Sequence, residues 1–153
     1  MQDAFVPPIF QPEIYFDRTL KATGVFIDRF GDVRRQFSVV VRGCKTAFGF
    51  ELDEAFIYDD GETETRRWEI IKQTDDQYRG TCNDIVGVAR GRLVGNMLAW
   101  RYRIRLVMFG RKVTVGFDDV MLLQSDDVLV NRAVVTKWGI KLGEVLITFQ
   151  PES

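Results

Sequence analysis

ARGRLVGNMLAWRYRIRLVMFGRKVTVGF, residues 89–117, is the stretch whose pattern decides the fold. Leu98, Trp100, Tyr102, Ile104 and Leu106 take alternate positions, with Arg101, Arg103 and Arg105 between them. Such alternation puts apolar side chains on one face of a strand and charges on the other. Gly95-Asn96 and Phe109-Gly110 bracket the run and suit tight hairpin turns.

Opposed residues of an antiparallel pair share a face, so each turn predicts which side chains meet. A turn at Gly95-Asn96 sets Leu98 against Leu93, Trp100 against Gly91, Tyr102 against Ala89 and Ile104 against Gly87. A turn at Phe109-Gly110 sets Ile104 against Val115, Tyr102 against Phe117 and Trp100 against Asp119. Further on, a turn at Ser125-Asp126 opposes Asp119 to Arg132 and Phe117 to Val134. A last turn near Ile140-Lys141 opposes Val134 to Ile147 and Arg132 to Phe149. These turns agree on one continuous apolar face, and that consistency marks a real sheet.

Upstream the same punctuation recurs at Gly31-Asp32, Asp60-Gly61 and Asp75-Asp76, between segments rich in Val, Ile, Phe, Tyr, Trp and Thr. The Gly31-Asp32 turn pairs Phe26 with Phe37, Gly24 with Val39 and Asp28 with Arg35. A plain turn at Asp60-Gly61 puts Phe56 and Trp68 on opposite faces; a one-residue bulge at the glycine repairs the phase. It opposes Phe56 to Arg66 and Glu54 to Trp68, turning Glu54, Tyr58, Glu64 and Arg66 inward as a polar cluster.

The count is roughly nine or ten strands joined by hairpins. So long a meander leaves edges exposed unless it curls and closes. The prediction is an all-β fold, an antiparallel up-and-down meander closed into a barrel. Pro7, Pro8 and Pro12 set residues 1–19 apart as an irregular N-terminal arm; residues 20–153 form a single β-barrel domain.

Composition narrows the function. The 153 residues carry a net charge of −1, far from the basic excess of a nucleic-acid binder. The chain has no histidine, which removes Ser-His-Asp and Cys-His catalysis and most zinc sites. Neither a metal site nor a cofactor is expected. Carboxylates and tyrosines still permit acid–base work. Cys44 and Cys82 form no CxxC pair and are expected as free thiols. No run is apolar enough for a membrane span, and no signal peptide is visible, so the chain as given reads as cytoplasmic.

Two charges interrupt the apolar face, Asp119 and Arg132, and the predicted register makes them partners. As a buried pair they form an internal clamp near Trp100; in an open pocket Arg132 holds a ligand's polar head and Asp119 orients it. Gly87, Ala89 and Gly91 opposite Trp100 and Tyr102 either leave room for a ligand or pack around the rings. The outer face carries Arg90, Arg92, Arg101, Arg103 and Arg105, with Asp118 opposite Arg101. It is either a solvated face or a surface for an anionic or acidic partner.

Several segments carry a family resemblance. They are Gly24-Val25-Phe26 through Gly31, Tyr58-Asp59-Asp60-Gly61 leading to Trp68, and Phe117-Asp118-Asp119-Val120-Met121. Asn131-Arg132-Ala133, Lys137-Trp138-Gly139 and Leu142-Gly143-Glu144 complete the set. Together they resemble an uncharacterised bacterial family of single-domain proteins of unknown function, many of them lipoproteins. Its members look similar to lipocalin-type barrels, and some are encoded among lipid-modification enzymes. The resemblance covers nearly the whole chain after Leu20 and implies the cell envelope, although no lipobox cysteine is visible.

The expected function is a lipocalin-like binding protein for a small hydrophobic or amphipathic, lipid-derived molecule. Arg132 and Asp119 hold the head; Trp100, Tyr102 and Phe117 line the apolar part; Glu54, Arg66 and Tyr58 add a second polar group. The alternatives are an enzyme on a lipid-like substrate, using Asp119, Glu54 or Tyr102 for proton transfer, and a solid-core barrel docking an acidic partner through its outer arginines.

Overall fold

Along β7 (Met97–Met108), Leu98, Trp100 and Ile104 are buried while Arg101, Arg103 and Arg105 face solvent. The alternation in the sequence is the inside and outside of a strand. The computed structural model describes residues 4–108 and 110–152. Before β7 come β1 (Thr19–Asp28), β2 (Val33–Lys45), β3 (Gly49–Tyr58), β4 (Thr63–Lys72), β5 (Gln77–Cys82) and β6 (Ala89–Val94). After it come β8 (Arg111–Leu123), β9 (Leu129–Lys137) and β10 (Ile140–Pro151). Each strand pairs antiparallel with the next, and β1 pairs with β10, closing a ten-strand up-and-down barrel. No helix among the described residues is long and apolar enough to cross a membrane.

The centre of the predicted register holds. Leu98 faces Leu93, Trp100 faces Gly91 and Asp119, Tyr102 faces Phe117, and Ile104 faces Val115. Phe109, the first residue of the predicted turn at Phe109-Gly110, lies outside the described residues. Gly91 proves to be packing: a Cβ built there would lie 2.4 Å from the Trp100 ring. The opposition of Tyr102 to Ala89 and Ile104 to Gly87 does not form. Ala89 opens β6 and faces Gly80, and Gly87 sits in the preceding loop with φ 74. That loop lies along β7 instead, through Ile85 opposite Ile104 and Val86 N–H donating to the Arg103 carbonyl at 2.9 Å.

The register departs from expectation at the next two turns. Between β8 and β9, Gln124 N–H donates to the Val128 carbonyl at 2.8 Å, and Asp127 takes left-handed backbone with φ 67. This loop holds one residue more than a two-residue turn. Asp119 therefore faces Ala133, and Phe117 faces Val135. A slip of one residue turns the partner strand over. Asn131 and Val135 line the interior, while Arg132 and Val134 do not. The last turn is at Trp138-Gly139, both with positive φ (52 and 76), rather than at Ile140-Lys141. With a further shift between Lys141 and Gly143, Val134 faces Glu144 and Arg132 faces Leu146. Ile147 and Phe149 stay inside, opposite Asn131 and Leu129.

In the first half, partners move by two residues, so faces are kept. Gly24 pairs with Phe37, Ala22 with Val39 and Phe26 with Arg35, because the turn spans Asp28 to Asp32. Asp28 does not meet Arg35; its Oδ1 accepts from Phe30 N–H at 2.9 Å and Asp32 N–H at 3.1 Å. At Gly61 (φ 86) the extra residue brings Phe56 and Trp68 to one face. Their partners are Glu64 and Leu52, and Glu54 faces Arg66.

One end of the barrel is sealed by the segment before β1. A single helical turn, α1 (Pro12–Tyr15), carries Phe10, Tyr15 and Phe16 into the core. Phe16 stacks on Phe50 at 5.5 Å between ring centres and meets Phe149 edge-on at 6.3 Å. Glu13 is buried, accepting from Tyr78 Oη at 2.7 Å and Lys72 Nζ at 2.9 Å. The segment passes so close to β2 that a Cβ at Gly43 would overlap the Phe16 carbonyl oxygen.

Candidate functional site

Inside the barrel runs a cavity of about 1540 Å³. Its floor is Phe16, Phe50, Phe149 and Tyr78 beside α1; its mouth lies among the turns that follow β1, β3 and β9. Aromatic rings make much of the wall. Tyr102 stacks on Phe117 at 5.2 Å, and Trp68 meets both Tyr102 (5.2 Å) and Trp100 (5.9 Å) edge-on. Phe56 stacks on Tyr58 at 6.1 Å.

The mouth is charged, with Asp28, Arg34, Arg35, Asp60, Arg111 and Lys137 among its residues, and inside it polar groups enter the wall at two places. On β3 and β4 the bulge at Gly61 turns Glu54, Tyr58, Glu64 and Arg66 into the lumen. Tyr58 Oη donates to Glu64 at 2.7 Å, Arg66 is paired with Glu64, and Asp84 lies 3.5 Å from Arg66 Nε. Arg66 also lies over the Phe56 ring, 5.0 Å from its centre. Glu54 accepts from Trp68 Nε1 at 2.9 Å. Enclosed by protein, its carboxyl is pushed up to about 7; burial outweighs the opposing Arg66 charge and the indole bond.

The second place is the Asp119–Asn131 pair on β8 and β9. Asn131 Nδ2 donates to Asp119 Oδ2 at 3.3 Å. Burial pushes the Asp119 carboxyl up to about 8, against the Asn131 bond. Burial also raises the Tyr102 hydroxyl well above its ordinary range, and the Asp119 charge adds to this. Tyr102 thus keeps its proton near neutrality and is not a base there. Glu54 and Asp119 are the groups able to exchange protons near neutrality.

Of the residues read from the sequence, Trp100, Tyr102, Phe117, Asp119, Glu54, Arg66 and Tyr58 line this one cavity. Arg132 does not. It is exposed on the outer face, paired with Glu144, which Lys141 also contacts at 2.7 Å. Asn131 was missed because the predicted register turned it outward. Its signal is the series Leu129, Asn131, Ala133, Val135, but the other face of β9 carries Val130 and Val134 and is interrupted, as this one is, by a polar residue at its centre.

A family model described as a protein of unknown function, DUF3833, matches residues 4–151. The chain belongs to the DUF3833 family. No curated protein and no solved structure matches it. The DUF3833 match takes in the segment that seals the barrel as well as the strands. On the outside of this DUF3833 barrel, Arg79, Arg90 and Arg101 stand directly opposite one another on β5, β6 and β7, and the row ends at Asp118. Cys44 is exposed and Cys82 half-buried, and both are free.

Proposed function

We propose that this barrel is a lipocalin-like carrier that binds a small hydrophobic or amphipathic molecule, of lipid origin, in its lumen. The observation that supports it is the cavity of about 1540 Å³, walled by aromatic rings and broken by two polar groups. Binding sites for such ligands are concave and mostly apolar, with few polar groups that fix orientation. Trp100, Tyr102 and Phe117 form the apolar wall, and Asp119 with the Glu54–Arg66–Tyr58 group supplies the polar contacts. Arg132 has no part in it.

The test is titration with N-phenyl-1-naphthylamine, a neutral dye that brightens in apolar surroundings, beside native mass spectrometry of protein from its own cells. Saturable dye binding, weakened by the lumen-filling Ile147→Trp, is expected. Absence of both dye binding and a co-purifying mass defeats the reading.

A second reading concerns the outside. Like charges directly opposite on neighbouring strands are destabilising. The Arg79–Arg90–Arg101 row is therefore a feature that solubility alone does not require, and it supports docking to an anionic surface. Co-sedimentation with vesicles containing anionic lipid, and its loss at high salt, tests this.

A further inference from the structure

Asp119 and Asn131 are 5% and 6% exposed, and both belong to the wall of the cavity. The bond between them uses Asn131 Nδ2 and Asp119 Oδ2. Asp119 Oδ1 and Asn131 Oδ1 are left buried with no hydrogen-bond partner. Buried polar atoms are nearly always satisfied, so two adjacent acceptors without donors call for an explanation. Both lack the same thing, an N–H or O–H group.

No other protein donor bonds either oxygen among the described residues. Trp100 and Ala133 flank Asp119 on the neighbouring strands, and no arginine or lysine forms an ion pair with it among the described residues. Arg66, the cation beside Glu54, is paired with Glu64 and approached by Asp84, although its Nε is also buried without a hydrogen-bond partner; Arg34, Arg35, Arg111 and Lys137 line the cavity at the strand ends by the mouth. Over the whole wall the carboxyls of Asp28, Asp32, Glu54, Asp60, Glu62, Glu64, Asp84 and Asp119 outnumber the cations. An anionic head seated at Asp119 and Asn131 meets a carboxyl and two acceptor oxygens, with no cation paired to Asp119 among the described residues. A head that donates hydrogen bonds meets the Asn131 Oδ1 acceptor and the Asp119 carboxyl, whose proton an amine can take to leave Oδ1 an acceptor, and with which an alcohol can exchange hydrogen bonds as it stands.

We propose that the lumen selects amphiphiles whose head donates hydrogen bonds and carries no negative charge, an aliphatic amine or alcohol, received by Asp119 Oδ1 and Asn131 Oδ1. This rests on the reading of the cavity as a binding site and adds the chemistry of the head. The acyl or alkyl chain then lies along the Tyr102–Phe117 and Trp68 rings toward the mouth.

The experiment is competition against N-phenyl-1-naphthylamine by dodecylamine, dodecanol and dodecanoate, which share a chain length and differ in the head. The full chain is used, as wild type and as Asp119→Leu and Asp119→Asn. Dodecylamine and dodecanol should displace the dye at concentrations at least tenfold below dodecanoate. Asp119→Leu removes the acceptor with little change in volume; it should keep the dye and erase that preference. Asp119→Asn retains one acceptor oxygen and cannot ionise, so it should keep dodecanol ahead of dodecanoate and weaken dodecylamine. Dodecanoate competing as well as the other two, or an unchanged ranking in Asp119→Leu, overturns the head-group assignment while the cavity reading stands. If neither dye nor any of the three binds, both fall.

Discussion

The indole of Trp100 lies flat against Gly91 on the neighbouring strand, with Gly80 of β5 beneath its far edge. Cβ atoms built on these glycines would come within 2.4 and 2.8 Å of the ring. Gly91→Ala should therefore destabilise the barrel by about 1–3 kcal/mol, the usual cost of overfilling a packed site. It should also weaken dye binding by forcing the indole toward the lumen. Urea unfolding of Gly91→Ala, Trp100→Phe and the double variant checks this. Additive losses would show that the two residues do not oppose each other as described.

Stability should fall as pH rises from about 4 to about 8. In the unfolded chain Glu54 and Asp119 ionise near 4. In the folded barrel they hold their protons up to about 7 and about 8. Between those limits the folded state binds more protons, so each carboxyl lowers stability by about 1.4 kcal/mol per pH unit. Glu54→Gln and Asp119→Asn should each flatten the curve obtained from urea unfolding at a series of pH values. A curve of the same slope in both variants contradicts the burial of these carboxyls.

The seal at the barrel floor depends on Phe16, which is 3% exposed. Phe16→Ala should cost about 3–5 kcal/mol, the range for deleting a buried aromatic side chain. Removing the ring also deepens the lumen where Phe50 and Phe149 lose their neighbour. Longer-chain amphiphiles should then gain affinity relative to short ones, as read by dye displacement.

Arg132→Ala should leave both the urea midpoint and dye affinity unchanged. Its partner Glu144 sits on the surface, where hydrogen bonding from Arg132 and Lys141 holds the carboxyl at about 2. Exposed pairs contribute little because solvent screens them. A collapse of stability or of binding in this variant would restore Arg132 to the interior.

Arg90→Glu should stabilise the protein by about 0.2–1 kcal/mol, since it replaces two like-charge cross-strand contacts, with Arg79 and Arg101, by attractive ones. The same change should weaken binding to anionic vesicles. Thermal unfolding and co-sedimentation report the two effects separately, and gains in both would remove the reason given for the arginine row.

The barrel was legible in the sequence where alternation and turn chemistry agreed. Leu98 to Leu106 against the interposed arginines leaves one phase, so β7 and its pairing with β8 follow. β9 reads alike on both faces, apolar with a polar residue at the centre, and there the phase depended on the turn alone. Nothing in Gln124-Ser125-Asp126-Asp127-Val128 marks Asp127 as the residue that adopts left-handed backbone. That position exchanged Arg132 for Asn131 in the lumen and changed the chemistry of the site. At Gly61 the glycine did mark the irregularity, and the inward faces of Glu54, Tyr58, Glu64 and Arg66 could be read from it. Their exact partners could not, because a shift of two residues preserves every face.

The seam between β1 and β10, where Leu20 meets Pro151, has a consequence for how the protein is made. Every other pairing joins neighbours in sequence and can form as a hairpin while the chain is still being synthesised. The seam cannot. Until β10 leaves the ribosome, β1 and the newest strand both present unpaired backbone, the condition under which sheets join their neighbours instead of themselves. Closure across most of the chain's length is then the slow event in folding.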